Sequence, residues 1–200
     1  MSLRIAVLIS GEGTNLQALL DAIRSGTLPA KVVLVLSNVA TANGLNRARR
    51  EGVPTAVVRH QDFASREAFD DELIRRLEGV ELVLLAGFMR VLSKKFVDRF
   101  RGRIMNVHPA LLPAFPGGDA VKKAWEAGAK ATGVTVHFVD EGVDTGPIIL
   151  QEPVPVKDGE TLDRLTTRIH EVEHRLYPEA VRLFAEGKLS LAGRKVKVER

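Results

Sequence analysis

The chain has 200 residues, of which 45% are hydrophobic and 27% charged, enough for one full-sized domain with a buried core and incompatible with intrinsic disorder. The net charge of +4 is scattered and aromatic residues make up only 5%, so no nucleic-acid partner is expected and an anionic small molecule is the economical one. With no cysteine, disulfides, thiolate nucleophiles and cysteine-based zinc sites are excluded. The apolar run at residues 5–9 is too short for a signal-peptide core, and no stretch is long enough to span a bilayer. No membrane partner and a cytoplasmic location are therefore expected.

Residues 3–9 read as a strand buried on both faces, because the run is almost continuously apolar. Ser10-Gly11-Glu12-Gly13-Thr14-Asn15 follows, and Leu16, Leu19, Leu20 and Ile23 recur at helical spacing, so a helix starts near Thr14. Residues 31–36 form a second strand, 44–51 a short basic helix closed by Gly52, and 54–58 a third strand. A helix begins near Ser65 and ends at Gly79. Residues 81–85 make a fourth strand, 93–100 a helix, and 103–107 a fifth strand. Residues 119–127 should be helical, whereas 132–139 and 147–156 are strands joined by a short Gly-rich loop, as in an antiparallel pair. Residues 161–184 form a long helix with an apolar stripe on Leu162, Leu165, Ile169, Val172, Leu176 and Leu183, kinked at Pro178. Residues 189–192 and 195–198 make a terminal hairpin. The expected fold is α/β, a doubly wound, mostly parallel Rossmann-like sheet in the N-terminal half with an antiparallel extension in the C-terminal half. One domain covers residues 1–200, and ligands belong in the crevice at the carboxyl ends of the strands.

Five stretches can carry chemistry. Gly11, Glu12, Gly13, Thr14 and Asn15 lie between strand and helix, where backbone N–H groups and the helix end attract an anion. The third glycine of a dinucleotide fingerprint is replaced by Leu16, and the Walker ending is absent. A monophosphate therefore fits better than a dinucleotide; a helix N-capped by Thr14 after a tight turn is the plain alternative. Met89, Arg90, Val91 and Leu92 follow the fourth strand, where an apolar loop can wrap a flat heterocycle or simply pack on the core. Asn106 and His108 alternate along the fifth strand and share a face, and Pro109 ends it. An amide beside an imidazole suits carbonyl chemistry, one group holding an oxyanion and the other moving a proton; a strand end with a satisfied histidine is the alternative. Asp140, Glu141, Gly142, Val143 and Asp144 form an acidic turn whose spacing does not match a calcium loop, so no metal is expected. One of its carboxylates can orient His108, or the turn can be solvated surface. On the long helix Glu173 falls at the rim of the stripe, His170 further round and His174 on the surface. Arg66 can meet a substrate carboxylate or pair with Asp70 one turn on.

In this order the motifs resemble the phosphoribosylglycinamide formyltransferase family. The resemblance is carried by Leu8-Ile9-Ser10-Gly11, Gly13-Thr14-Asn15-Leu16-Gln17, Ser65-Arg66-Glu67-Ala68-Phe69 and Leu85-Ala86-Gly87-Phe88-Met89-Arg90. It continues through Asn106-Val107-His108-Pro109-Ala110-Leu111-Leu112-Pro113, Gly133-Val134-Thr135-Val136-His137-Phe138-Val139 and Asp144-x-Gly146-Pro147-Ile148-Ile149. It implies a catalytic trio of Asn106, His108 and Asp144. Glycinamide ribonucleotide would be held by Gly11, Glu12, Gly13, Thr14 and Asn15, with His170 and Glu173. The co-substrate 10-formyltetrahydrofolate would meet Arg66, Met89, Arg90, Val91, Leu92, Asn106, Asp140, Glu141, Gly142, Val143 and Asp144. Residues 1–102 then form the phosphate-binding half and 103–200 the catalytic and folate-binding half, in a monomer or homodimer. The implied reaction passes the formyl group to the ribonucleotide amine, with Asp144 favouring an imidazolium at His108. Where relatives carry a histidine after Phe115-Pro116-Gly117, this chain has Gly118-Asp119-Ala120-Val121, so Asp119 is expected to act only as a helix cap. A formyltetrahydrofolate hydrolase, a sugar-nucleotide formyltransferase and a non-catalytic folate or nucleotide sensor are the rival readings. A hydrolase would carry an extra N-terminal domain, whereas the first strand here starts at residue 3.

Overall fold

The computed structural model describes residues 2–199. Seven strands form one sheet in the order β3-β2-β1-β4-β5-β6-β7. β1 (Leu3–Ile9), β2 (Ala30–Ser37), β3 (Thr55–Val57), β4 (Leu82–Leu85) and β5 (Ile104–His108) run parallel. β6 (Ala131–Phe138) and β7 (Ile148–Pro155) add on antiparallel, so both the parallel half and its extension are as expected.

The alternation of side chains along β1 divides the core. Ile5, Val7 and Ile9 pack with Leu16 and Leu19 of α1 (Thr14–Arg24) and with Leu165 and Ile169 of α6 (Leu162–Ala185). Ala6 and Leu8 face the other way, toward Phe69 and Leu73 of α3 (Arg66–Arg76) and Phe96 of α4 (Lys94–Arg99). Each fully buried aliphatic of this kind contributes roughly 1.5–3 kcal/mol of transfer free energy. Because both faces of β1 are covered, its sequence has to be apolar at every position rather than at alternate ones.

The strand order reverses at β1, with β2 on one side and β4 on the other, which opens a crevice beyond their carboxyl ends. The loops after β1 and β4 flank that crevice. α2 (Asn43–Arg50) and α5 (Ala120–Glu126) are the remaining α-helices among the described residues. α6 runs through Pro178 as one helix. β8 (Leu189–Ala192) and β9 (Lys195–Val198) form a separate hairpin, as predicted.

Candidate active site

β5 and β6 pair with Asn106 opposite His137 and His108 opposite Thr135. Directly opposed residues share a face of the sheet, so the register gathers four polar side chains into one patch. Thr135 holds the chain beyond Pro109. Its Oγ1 donates to the Ala110 carbonyl at 2.7 Å and accepts the Leu112 N–H at 3.1 Å. Gln151 of β7 donates to Thr135 Oγ1 at 2.9 Å and to the Leu112 carbonyl at 2.8 Å. The Leu112–Pro113 peptide bond is cis.

Asp144 reaches this patch from the loop between β6 and β7. Asn106 Nδ2 donates to Asp144 Oδ1 at 3.4 Å and lies 3.2 Å from His137 Nε2. His137 Nδ1–H donates to the Phe138 carbonyl at 2.9 Å, which leaves Nε2 as the acceptor for Asn106. His108 Nε2–H donates to the Phe115 carbonyl at 2.8 Å, so Nδ1 is the basic nitrogen, 3.4 Å from Asp144 Oδ2. That same carboxylate oxygen accepts the Gly117 N–H at 2.7 Å.

Three residues other than glycine adopt positive φ among the described residues, and all three border this site: Phe115 (54°), Asp119 (58°) and Asp144 (53°). Such conformations cost free energy and persist only where the surroundings impose them. At Phe115 the strained backbone presents the carbonyl to His108. At Asp144 it turns the carboxylate back toward β5, helped by Gly146, where a Cβ would lie 1.8 Å from the Phe138 carbonyl oxygen.

Electrostatics divide the pair. Burial pushes the His108 ring below its ordinary pKa, outweighing the Phe115 carbonyl and the Asp144 carboxylate. The resting ring is therefore neutral at pH 7, not the imidazolium expected from proximity to Asp144. Burial pushes the Asp144 carboxyl up, but the adjacent His137 ring, the Gly117 N–H and the His108 ring together bring it below its ordinary value. A neutral His108 places a lone pair opposite a carboxylate oxygen, so Nδ1 is poised to take up a proton when one is released nearby.

A cavity of about 590 Å³ opens onto these groups, a size that takes a drug-sized ligand. Met89, Arg90, Val91 and Leu92 line one wall, with Asp140, Gly142, Val143 and Asp144 on another. Met89, Val91 and Val143 are exposed apolar side chains, an unusual grouping for surface and an ordinary one for the mouth of an apolar site. The Gly117-Gly118-Asp119 turn closes the side next to His108.

The loop after β1 is a second locus. Gly13 sits at the N-terminus of α1 with φ 71°, and no side chain caps the helix. The alternative reading, a cap by Thr14, is therefore not borne out: Thr14 is the first helical residue, and the end is left to backbone N–H groups. A Cβ on Gly13 would lie 2.6 Å from Gly44 Cα, so α2 packs against the loop as closely as two backbones allow. Arg47 Nε donates to the Glu12 carbonyl at 2.8 Å, and Asn43 Nδ2 to the Glu12 carboxylate at 3.1 Å. Asn15 Nδ2 donates to Glu173 Oε2 at 3.0 Å, while Asn15 Oδ1 is buried without a partner. Glu173 is 4% exposed, and burial raises its carboxyl to about 7.

Sequence spacing and structure part company at several of these positions. Glu173 lies inside the core rather than at the rim of its stripe. His170 is exposed and stacks on His174, whose Nε2 is buried without a partner, so the expected order of burial is reversed. Arg66 pairs with Glu67 at 3.5 Å instead of Asp70 and does not line the cavity. Glu141 turns away from the cavity to Lys94 at 3.0 Å. Asp119 occupies the N-cap position of α5 but makes no side-chain cap, and instead lines the cavity. His137 was not singled out, although its alternation with Thr135 on β6 carried the signal.

Comparison with known proteins places this geometry in context. Residues 3–181 match the family described as "Formyl transferase". The chain is 54% identical over 190 residues to the trifunctional purine biosynthetic protein adenosine-3 of Drosophila pseudoobscura pseudoobscura; the match covers 93% of this chain but only 14% of that much longer protein. It is 44% identical over 190 residues to the phosphoribosylglycinamide formyltransferase of Haemophilus influenzae, covering 94% of this chain and 90% of that one. The crystal structure of glycinamide ribonucleotide transformylase 1 from Symbiobacterium toebii superimposes with a TM-score of 0.97 at 53% identity, over 100% of this chain and 95% of that one.

Proposed function

The chain belongs to the formyl transferase family, and we propose that it transfers the formyl group of 10-formyltetrahydrofolate to the amine of glycinamide ribonucleotide. The products would be formylglycinamide ribonucleotide and tetrahydrofolate, a step of de novo purine synthesis. The observation that carries this reading is the cluster of Asn106, His108 and Asp144 on the wall of an apolar-mouthed cavity, with Asn106 donating to Asp144 and His108 Nδ1 3.4 Å from the same carboxyl group. The H. influenzae relative, similar over nearly the whole of both chains, carries that activity in its name.

The folate, when bound, supplies the formyl carbon. Met89, Val91 and Val143 offer the apolar contact a flat heterocycle needs, and Arg90 and Asp140 the polar edge. Gly13, Thr14 and Asn15 hold the ribonucleotide phosphate on backbone N–H groups at the start of α1, with Gly11 and Glu12 shaping the turn. Glu173 and His170 border that substrate, and Arg66 and Glu141 act at longer range on the folate side.

Asn106 uses both amide hydrogens in the free protein. The contact to Asp144 at 3.4 Å is the longer and weaker of the two. That hydrogen is the one released to the formyl oxygen as negative charge develops there. His108 Nδ1 receives the proton shed by the attacking amine, directly or through a water, and Asp144 stabilises the imidazolium that results. The imidazolium returns that proton to the departing folate nitrogen as its bond to the formyl carbon breaks. The neutral resting ring fits this order, because a base has to be unprotonated before it acts. Residues 1–102 then supply the phosphate cradle and the Met89–Leu92 wall, and 103–200 the chemistry. The enzyme would act on small molecules in the cytoplasm; no helix among the described residues is long and apolar enough to cross a membrane.

The test is to supply both substrates, omit each in turn and follow tetrahydrofolate release. Release is expected only with both present. Release without the ribonucleotide would overturn the reading in favour of a hydrolase, and no release at all in favour of a sensor.

A further inference from the structure

Among the described residues, Asp70 is the one buried carboxylate that the proposed chemistry leaves without a task. It lies on the inner face of α3, 0% exposed, with Oδ1 lacking any partner. A buried carboxylate with an orphaned oxygen costs stability relative to an apolar residue, so its presence asks for a function. Its other oxygen accepts the N–H of Ser93 at 2.5 Å. Ser93 caps α4 and directly follows the Met89–Leu92 segment. The charged neighbours Arg66 and Glu67 lie on the same helix, one turn or less away.

A matching contact holds the other end of that segment. Ser10 Oγ accepts the Met89 N–H at 2.8 Å and donates to Asn38 Oδ1 at 2.6 Å, while the Ser10 N–H donates to the Gly87 carbonyl at 3.0 Å. Between these two points the backbone groups of Arg90, Val91 and Leu92 make no hydrogen bond among the described residues. Their N–H and C=O groups remain available at the cavity wall. The segment is irregular, and neither a helix nor a sheet ladder fixes it. Phe88 and Leu92 pack into the core beside Phe69 and Phe96, and the hydrogen bonds that hold the segment's two ends come from two side chains on different elements, neither of which lines the cavity.

We propose that Asp70 and Ser10 are positioning residues that pin the two ends of the Met89–Leu92 wall and so set the affinity for the formyl donor. The proposal rests on the formyl-transfer reading for the identity of the ligand, but the pins themselves can be measured without it. Freed at either end, the wall samples geometries that miss the donor, and donor binding weakens while the ribonucleotide loop, anchored on α1 and α2, is unaffected. Ser10 directly follows β1 and precedes that loop, so Asp70 is the cleaner probe and Ser10 the one less prone to unfold the chain.

The experiment compares Asp70→Ala, Asp70→Asn and Ser10→Ala with the parent protein. Amide hydrogen exchange at Met89 and Ser93 reads the pins, calorimetric binding of tetrahydrofolate reads the wall, and steady-state kinetics separate the two KM values. Exchange at Ser93 in Asp70→Ala, and at Met89 in Ser10→Ala, should quicken by about tenfold, as expected for loss of one hydrogen bond. Donor KM should rise about five- to tenfold in both, with ribonucleotide KM within about twofold and kcat at saturation little changed. Asp70→Asn keeps an acceptor oxygen for Ser93 and should stay near the parent in donor KM. Unchanged donor KM in both alanine variants, or equal rises in both KM values, would overturn the assignment. A parent protein that takes up no tetrahydrofolate would defeat the formyl-transfer reading instead, and unaltered exchange in the variants would then defeat the pins separately.

Discussion

The loop after β1 presents backbone, whereas the crossing of β5 with β6 presents side chains. At Gly13 the useful groups are N–H donors at a helix end, and the demand on sequence is that there be no Cβ: φ is 71° and Gly44 Cα is 2.6 Å from where one would sit. Along β5 the main chain is already used in the ladder, and function falls to Asn106 and His108, aimed by register against His137 and Thr135. One region tolerates change in side chains it does not use and no added atom. The other tolerates little change in identity, and its geometry is fixed by pairing two strands whose residues lie some thirty positions apart.

That contrast can be broken from either side. The largest effect is expected for Asp144→Asn, which keeps the shape but removes the charge opposite His108 Nδ1. Turnover should fall by about 10²–10⁴, the usual contribution of a positioned proton-transfer group, while ribonucleotide affinity, measured by calorimetry, is kept. Collapse of binding would make Asp144 a scaffold residue.

Gly13→Ala attacks the backbone-built region. A left-handed alanine costs about 1–2 kcal/mol before the clash with Gly44 is counted. Thermal stability and ribonucleotide affinity should both drop, with donor affinity unchanged. Normal ribonucleotide binding in this variant would contradict a backbone cradle.

Glu173→Gln sharpens the comparison where the two regions meet, since Glu173 joins α6 to Asn15. Its folded-state pKa is raised by burial to about 7 from 4.5, so the ionised form is the disfavoured one. Stability from the protonated carboxyl is full below about pH 4.5 and is lost as pH rises through 7. At about 1.36 kcal/mol per unit the cost above pH 7 approaches roughly 3 kcal/mol. Glutamine still accepts from Asn15, so the variant should melt higher than the parent at pH 8 and close to it at pH 5. A pH-independent difference would show that the Glu173 carboxyl does not take up a proton on folding as described.

The smallest effect belongs to His137→Ala. Without Nε2, Asn106 loses one of its two acceptors and the precision of its aim, and turnover should fall about tenfold with both KM values little changed. A loss as large as that of Asp144→Asn would move His137 from positioning Asn106 to the reaction itself.

Much of the fold could be read directly, and the reason is physical. β1 is apolar at every position because helices cover both faces, and the Gly-rich links and alternating runs after residue 131 announce antiparallel strands. The terminal hairpin followed from Gly193-Arg194 between two short alternating runs. Burial on α6 was harder. Glu173 is one turn from Ile169, but α1, packed beside α6, widens the covered arc and takes Glu173 and part of His174 with it. Arg66 and Asp70 have the spacing of a helical ion pair, yet Asp70 faces inward to a backbone N–H 23 residues away, and nothing local encodes that. His137 lay inside an apolar strand run, and its role depends on which residue of β5 it faces.

The central claim is that side chains aligned by the β5–β6 register carry the chemistry, and Asn106→Ala tests it most directly. The measurement is a single-turnover rate with both substrates saturating, together with the binding constant of each. Loss of one oxyanion donor predicts a rate lower by about 10²–10³ with both substrates still bound and the fold intact. A rate within about threefold of the parent would contradict the account.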